Sequence, residues 1–236
     1  MAVYRINSQR HHYLIDNAYI EEHHMNIALI GASGFIGSAL REEALQRGHQ
    51  VSALVSQPDK LQATDNLTIV KTNVQDTALL SEQLKGFDAV VSAFSGHAQD
   101  NVREYYVQGV RSIINASKVA SVPRLLIAGG AGALRVNADT LLIDTPTFPA
   151  EYEGTARGAQ DALALLAEET DLDWTMLAPA AEIFPGERTG QFRLGKDDLI
   201  VDADGNSRIS VQDYAVAMIN ELEQPQHVQQ RFTLGY

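Results

Sequence analysis

Met25-Asn-Ile-Ala-Leu-Ile30-Gly31-Ala-Ser-Gly34-Phe-Ile-Gly37-Ser-Ala-Leu40-Arg-Glu-Glu-Ala44-Leu-Gln-Arg47 decides the fold. Asn26 to Ile30 is an apolar run of strand length closed by Gly31, and Phe35 to Arg47 has helical spacing. Gly48-His49 then leads into a second apolar run, Val51 to Val55, so residues 26–56 read as a β-α-β unit. Each glycine of the turn has its own task in that context. Gly31 permits the tight exit from the strand, Gly34 lets the backbone approach a pyrophosphate, and Gly37 lets helix and sheet pack closely. Ser33 lies in the same turn, and the first helical amides, at Phe35 and Ile36, face the phosphates along the helix dipole.

The alternation continues downstream. Leu67 to Val70, Ala89 to Ala93, Arg124 to Ala128 and Asp173 to Leu177 read as strands. Thr77 to Leu84, Asn101 to Ala120 and a stretch carrying Ala159, Leu163, Leu166 and Ala167 read as helices. Short apolar strands between amphipathic helices predict an α/β fold, a doubly wound parallel Rossmann sheet covered on both faces. Beyond it, Gln191 to Leu194, Leu199 to Val201 and Arg231 to Leu234 read as strands and Val211 to Leu222 as a helix, a small C-terminal α+β lobe. The organisation expected is one NAD(P)-binding domain over 25–236, its substrate lobe formed mainly by 180–236. Residues 1–24 read as a leader without function. Their pairs His11-His12 and His23-His24 lack the i,i+4 geometry and companion ligands of a metal site, so no metal is expected.

Bulk composition narrows the partners. With 236 residues, 45% of them hydrophobic and 20% charged, the chain can bury one sizeable core. A net charge of −12 opposes binding to a polyphosphate backbone, which draws its free energy from displaced counterions, so nucleic acid is not an expected partner. No run approaches the ~20 apolar residues of a membrane span, and the polar start does not read as a signal peptide; the expected location is the cytoplasm. The absence of cysteine removes disulfides, thiolate nucleophiles and cysteine metal sites.

The G-x-x-G-x-x-G spacing resembles the extended and atypical short-chain dehydrogenase/reductases. So do Gly129-Gly-Ala-Gly-Ala-Leu134, Asp173-Trp-Thr, Pro179-Ala-Ala, Pro185-Gly-Glu-Arg-Thr-Gly190, Ile209-Ser-Val-Gln-Asp213-Tyr-Ala and Phe232-Thr-Leu-Gly-Tyr236. Together these segments look like the atypical branch of NADH-flavin reductases, and they are similar to NmrA-like proteins as well. The match spans Met25 to Tyr236. It implies that Asn73-Val74 contacts the adenine and that Ala93-Phe94-Ser95-Gly96 lies beside the nicotinamide ribose. Gly129, Gly130 and Pro179, at strand exits, complete the expected cofactor contacts.

The choice between NAD and NADP falls at the end of the second strand, where an acid would accept from a ribose 2′-hydroxyl and a cation would pair with a 2′-phosphate. Related sequences often carry Arg at the place of Ser56. Here Ser56 can hydrogen-bond a phosphate and Lys60 can reach it, while Asp59 opposes a dianion; the balance tips narrowly to NADP.

Short-chain dehydrogenases use Tyr-x-x-x-Lys, in which the lysine lowers the pKa of the proton-transferring tyrosine. Tyr152 sits in the right region, but Ala156 stands four residues later and Arg157 five; Tyr105 and Tyr106 have Gly109 and Val110 at the same offset. Alcohol–ketone chemistry of that kind is therefore not expected. Tyr152 and His97 remain the catalytic candidates, the latter as a proton donor near neutral pH beside the nicotinamide loop. Glu182 borders the expected cleft over Gly130 to Leu134, Tyr152 and Pro179 to Phe184. Arg188 either holds an anionic substrate group or pairs with a carboxylate of the protein. The missing lysine fits a flavin or a similar flat, quinone-like acceptor, because hydride transfer to an isoalloxazine ring can take its proton from solvent. Two other readings use the same turn: a non-enzymatic NmrA-like redox sensor that binds a protein partner, and a nucleotide-sugar or small-carbonyl epimerase or reductase.

Overall fold

The computed structural model describes residues 24–97 and 99–236; His11, His12 and His23 lie outside them. In chain order the elements are β1 (Asn26–Ile30), α1 (Phe35–Gln46), β2 (Gln50–Val55), β3 (Leu67–Lys71), α2 (Thr77–Gln83), β4 (Ala89–Ser92), α3 (Val102–Val119) and β5 (Arg124–Ala128). There follow β6 (Arg135–Asn137), β7 (Thr140–Leu141), α4 (Glu153–Ala167), β8 (Asp173–Ala178), β9 (Glu182–Phe184), β10 (Arg193–Gly195), β11 (Arg208–Ser210), α5 (Val211–Glu223) and β12 (Gln230–Gly235).

Eight strands form one sheet in the order β3-β2-β1-β4-β5-β8-β12-β10. All neighbours run parallel except β10, which is antiparallel to β12. This is the doubly wound Rossmann arrangement. The chain winds outward from β1 through β2 to β3, then crosses to β4 on the other side of β1, where Ile30 faces both Leu54 and Ser92. The exit loops of β1 and β4 consequently diverge, and open sheets bind their ligands at that parting.

Alternation along β1 divides the core. Ile27 and Leu29 point to the face covered by α1 and α5, where Leu40, Ala44, Met218 and Leu222 meet them. Ala28 and Ile30 point to the other face, where α2, α3 and α4 bring Leu80, Val110, Ile113 and Leu166. Strands buried on both faces need apolar residues at every position, so the period-2 signal disappears and short continuous runs remain. Among the described residues no helix is long and apolar enough to cross a membrane.

The C-terminal segment adds β10 and β12 to the main sheet and lays α5 on one face, while β9 and β11 pair in parallel as a separate two-stranded sheet. One expected strand does not form. Leu199 to Val201 is irregular; next to it, Asp198 makes an isolated bridge and an ion pair to Arg135 of β6, and Leu199 N donates to Arg135 O at 2.8 Å. Its apolar content serves packing, since Ile200 lies against Gly195 and Gly235, and β6 is too short and irregular in register to template a ladder.

Within the C-terminal segment, Asp213, fully buried in the first turn of α5, ties the loop at 189–190 and Tyr236 to that helix. Its carboxylate accepts from Thr189 N (2.8 Å), Gly190 N (2.7 Å), Thr189 Oγ1 (2.5 Å) and Tyr236 Oη (2.7 Å). Buried donors stripped of an acceptor lose their full solvation, so Asp213→Ala should lower unfolding free energy by about 3 kcal/mol. Urea denaturation followed by circular dichroism measures the loss.

Candidate nucleotide-binding site

Gly31 leaves β1 with φ of +79°, in the left-handed region, and its amide still extends the ladder to Leu54 O at 3.0 Å. A Cβ here would lie 2.7 Å from Ala93 O, so the exits of β1 and β4 meet backbone to backbone. A Cβ on Gly37 would lie 2.1 Å from Gly31 O, so α1 sits directly on the turn. Gly34 is different. Its backbone is extended, it is exposed, and a Cβ would have only Gly31 O within reach, at 3.4 Å. Neither strain nor internal packing calls for glycine at 34; open room on the solvent side, where a pyrophosphate would lie, remains the reason.

Gly34 is also the N-cap of α1, with no side-chain cap and no acidic residue in the first turn. The amides of Phe35 and Ile36 have no acceptor four residues back inside the helix, and the positive end of the helix dipole is left unneutralised. Such a terminus binds anions. Ser33 and Phe35 are exposed beside it, and Arg41, one turn further on than Gly37, donates to Ala32 O at 3.0 Å and steadies the turn.

Around this cradle the strand exits deliver the other candidates. Ser56 is exposed just after β2, and Lys60 is exposed in a short 3-10 turn, Pro58–Lys60, together with Asp59. Asn73 is exposed and its side-chain oxygen accepts from Gln75 N at 3.2 Å, while Val74 is buried in the core. Ala93, Phe94 and Ser95 follow β4. The Phe94 ring lies on Gly109 of α3, where a Cβ would be 2.2 Å away, and stacks on Tyr106 at 6.0 Å. Only its backbone is turned to Gly31, with Phe94 N 3.2 Å from the Cβ that residue lacks.

Small residues press α4 onto the exit of β5. A Cβ on Gly130 would lie 3.1 Å from Ala159 Cβ, and one on Gly132 would lie 2.6 Å from Ala156 Cβ. Gly129 donates to Leu177 O at 2.8 Å, holding the β5 exit beside that of β8, where Pro179 is buried. Ala156 is thus sealed against Gly132, and the place where a lysine would serve Tyr152 is filled by packing. Tyr152 itself stands 54% exposed at the start of α4. Across from it, His97 Nδ1 lies 3.2 Å from Thr155 Oγ1, joining the β4 loop to the first turn of α4. The two catalytic candidates therefore sit on adjoining elements. Thr155 carried no signal of this in the sequence, being 58 residues from its partner.

Arg188 spends its charge within the protein. Its Nε and Nη2 meet Glu43 Oε2 and Oε1 at 2.7 and 2.8 Å, a fork onto a carboxylate that is 4% exposed. Arg47 also donates to Glu43, at 2.7 Å, and continues to Glu223 at 2.6 Å, which in turn meets His49 at 3.0 Å. Glu182 pairs with Arg208 at 2.7 Å. Two cavities, of about 270 Å³ beside His227 and Phe232 and about 560 Å³ beside Trp174 and Arg231, contain no residue of the glycine turn. The second lies at the opposite, N-terminal edge of β8 and β12.

A sequence family described as NAD(P)H-binding matches residues 31–222. The chain belongs to the NAD(P)H-binding family. Within it, the uncharacterised protein YwnB of Bacillus subtilis (strain 168) is 43% identical over 213 residues, covering 89% of this chain and 98% of the relative. A solved structure from Bacteroides thetaiotaomicron, described as a candidate epimerase, is 44% identical with a TM-score of 0.84 over 90% of this chain and 97% of that one. Another, from Streptococcus pneumoniae and described as a candidate NADH-flavin reductase, is 34% identical with a TM-score of 0.76 over 89% and 99%. The resemblance to the atypical short-chain dehydrogenase/reductases is borne out, and with it the nicotinamide nucleotide as ligand class.

The Glu43 cluster has a pH signature. Burial pushes the Glu43 carboxyl up, but hydrogen bonds from Arg188 and Arg47 outweigh it and hold the group below its ordinary 4.5. A depressed folded-state pKa stabilises above the unfolded value and is lost as pH falls through the folded one. The stability gap between the native protein and Glu43→Gln should therefore be full above about pH 4.5 and close below it, as urea unfolding at a series of pH values will measure.

Proposed function

We propose that this protein is an NAD(P)H-dependent oxidoreductase that passes a hydride to a flavin or another flat, quinone-like acceptor. The observation that carries this reading is Ala156 sealed on Gly132, in a chain whose glycine turn keeps free room at Gly34. Hydride donation is what the bound nucleotide would supply; the chain holds the nucleotide but leaves Tyr152 no lysine with which to work on an alcohol. An acceptor that is flat and easily reduced needs chiefly to be held at the donor. Orientation of that kind lowers a barrier by several kcal/mol without any acid.

In this reading Gly31, Ser33, Gly34, Phe35, Ile36 and Gly37 hold the pyrophosphate. Asn73 and Val74 border the adenine, and Ala93, Phe94 and Ser95 border the nicotinamide ribose, Phe94 by its backbone. Gly129, Gly130 and Pro179, at the exits of β5 and β8, complete the cofactor contacts and lead to the acceptor side. Exposed Ser56 and Lys60 at the end of β2 favour NADP over NAD. The names borne by similar proteins diverge, a flavin reductase at 34% identity and an epimerase at 44%, so the acceptor is argued from the site.

The test follows NADPH and NADH absorbance with FMN in excess, using Gly34→Val as the blank. A branched side chain at 34 should cost about 1 kcal/mol of stability at an N-cap while filling the cradle. The expected result is saturable oxidation, faster with NADPH and absent from the variant. Tight nucleotide binding without turnover of FMN or any quinone would instead favour a redox sensor.

A further inference from the structure

We propose that His97, positioned by Thr155, is a proton donor for acceptors whose reduced form is an oxyanion, so that the site reduces quinone-type acceptors with acid assistance and flavins without it. The proposal rests on the reductase reading and extends it to the choice of acceptor.

His97 follows directly on the loop that leaves β4 at the switch point, one residue beyond Gly96. That loop is held at both ends. A Cβ at Gly96 would lie 2.7 Å from Val102 O, at the start of α3, and Gly96 O accepts from Gln99 N at 2.9 Å. On the far side, Gly154 and Gly158 let α4 approach α3 closely, with Val102 Cγ1 2.5 Å and Tyr106 Cδ1 3.2 Å from the Cβ atoms they lack. The first turn of α4 is thereby brought against the β4 loop, and the Thr155 hydroxyl meets His97 Nδ1 at 3.2 Å. With Nδ1 engaged, Nε2 is the nitrogen left to serve a substrate. Tyr152 stands three residues before Thr155, at the start of the same helix, so the contact ties the imidazole to the element that carries the other catalytic candidate.

The charged groups on the elements around His97 are few. Asp100 lies on its own loop, Arg103 and Glu104 in the first turn of α3, and Glu151, Glu153 and Arg157 about the start of α4. Arg103 is paired with Asp161 at 2.7 Å, and Arg157 with Asp144 at 3.4 Å and Glu153 at 3.6 Å.

The step balances. Hydride transfer oxidises the reduced nicotinamide by two electrons and reduces the acceptor, which in a quinone leaves one oxygen as an anion. The Nε2–H bond of the imidazolium breaks and its proton passes to that oxygen, and the exposed imidazole is recharged from water. A flavin delocalises the same charge over its ring system and gains little from the acid.

The experiment compares the native protein with His97→Gln, Thr155→Val and Thr155→Ser, using FMN and 1,4-naphthoquinone as acceptors with NADPH. His97→Gln should lower kcat for the quinone about 100-fold and abolish the alkaline limb of its pH profile, while the FMN rate changes less than about threefold. Thr155→Val should lower the quinone rate about 10-fold and shift the His97 titration followed by NMR, and Thr155→Ser should restore both. NADPH affinity stays unchanged throughout. An unchanged quinone rate in His97→Gln, or an equal loss with both acceptors, overturns the proton donor and leaves the reductase reading intact. An unmoved His97 titration in Thr155→Val overturns the role of Thr155. No oxidation of NADPH by the native protein with either acceptor, relative to Gly34→Val, overturns both readings together.

Discussion

Three backbones meet at one point, and the rest of the molecule is arranged around their approach. The oxygen of Ala93 and the carbonyl of Gly31 occupy the places where Cβ atoms of Gly31 and Gly37 would be. A single methyl group at either position would push α1 off the sheet or β1 away from β4. Because α1 seats this closely, its partner α5 can share the same face, and Glu43 on α1 comes within reach of Arg188 from a loop 145 residues later. The same seating aims the uncapped end of α1 into the groove between the β1 and β4 exits. A tolerance set by sterics in the fold thus becomes an electrostatic site for a phosphate.

A second set of small residues, Gly129, Gly130, Gly132, Ala156 and Ala159, works on the other side of the groove. Close approach of α4 to the β5 exit leaves no volume for a lysine at 156, so chemistry is decided here by packing density as much as by which polar groups are present. The same closeness, extended through Gly154 and Gly158 to α3, sets Thr155 against His97. The small residue at 156 and the contact between Thr155 and His97 follow from one arrangement of helices.

Much of this was legible in the sequence because it is local. The run Asn26 to Ile30, the three glycines and the helix after them carry their meaning within a dozen residues, and the strands of the main sheet as far as β8, with the helices between them, are where apolar spacing puts them; the short pair β6 and β7 went unread. The failures have physical causes. Leu199 to Val201 has strand composition, yet its side chains are used by Ile200 against two glycines, and no neighbouring strand offers a ladder. β9 and β11 are three-residue strands that exist only because each finds the other, 26 residues away. Arg188 left two readings open in the sequence, and the fold realises the second, a pair with a carboxylate of the protein, although Glu43 lies 145 residues away. The value of Thr155 and Ala156 lay in contacts with residues 58 and 24 positions away, which no local pattern encodes.

All of this turns on a nicotinamide dinucleotide lying on the uncapped turn of α1. Titration of 15N-labelled protein with NADP+, followed by amide NMR, tests it most directly, since every residue reports separately. Saturable shifts are expected at Ser33, Gly34, Phe35 and Ile36, with smaller ones at Ala93 to Ser95 and Gly129 to Gly130. Shifts centred on Trp174 and Arg231, or none at millimolar nucleotide, would contradict it.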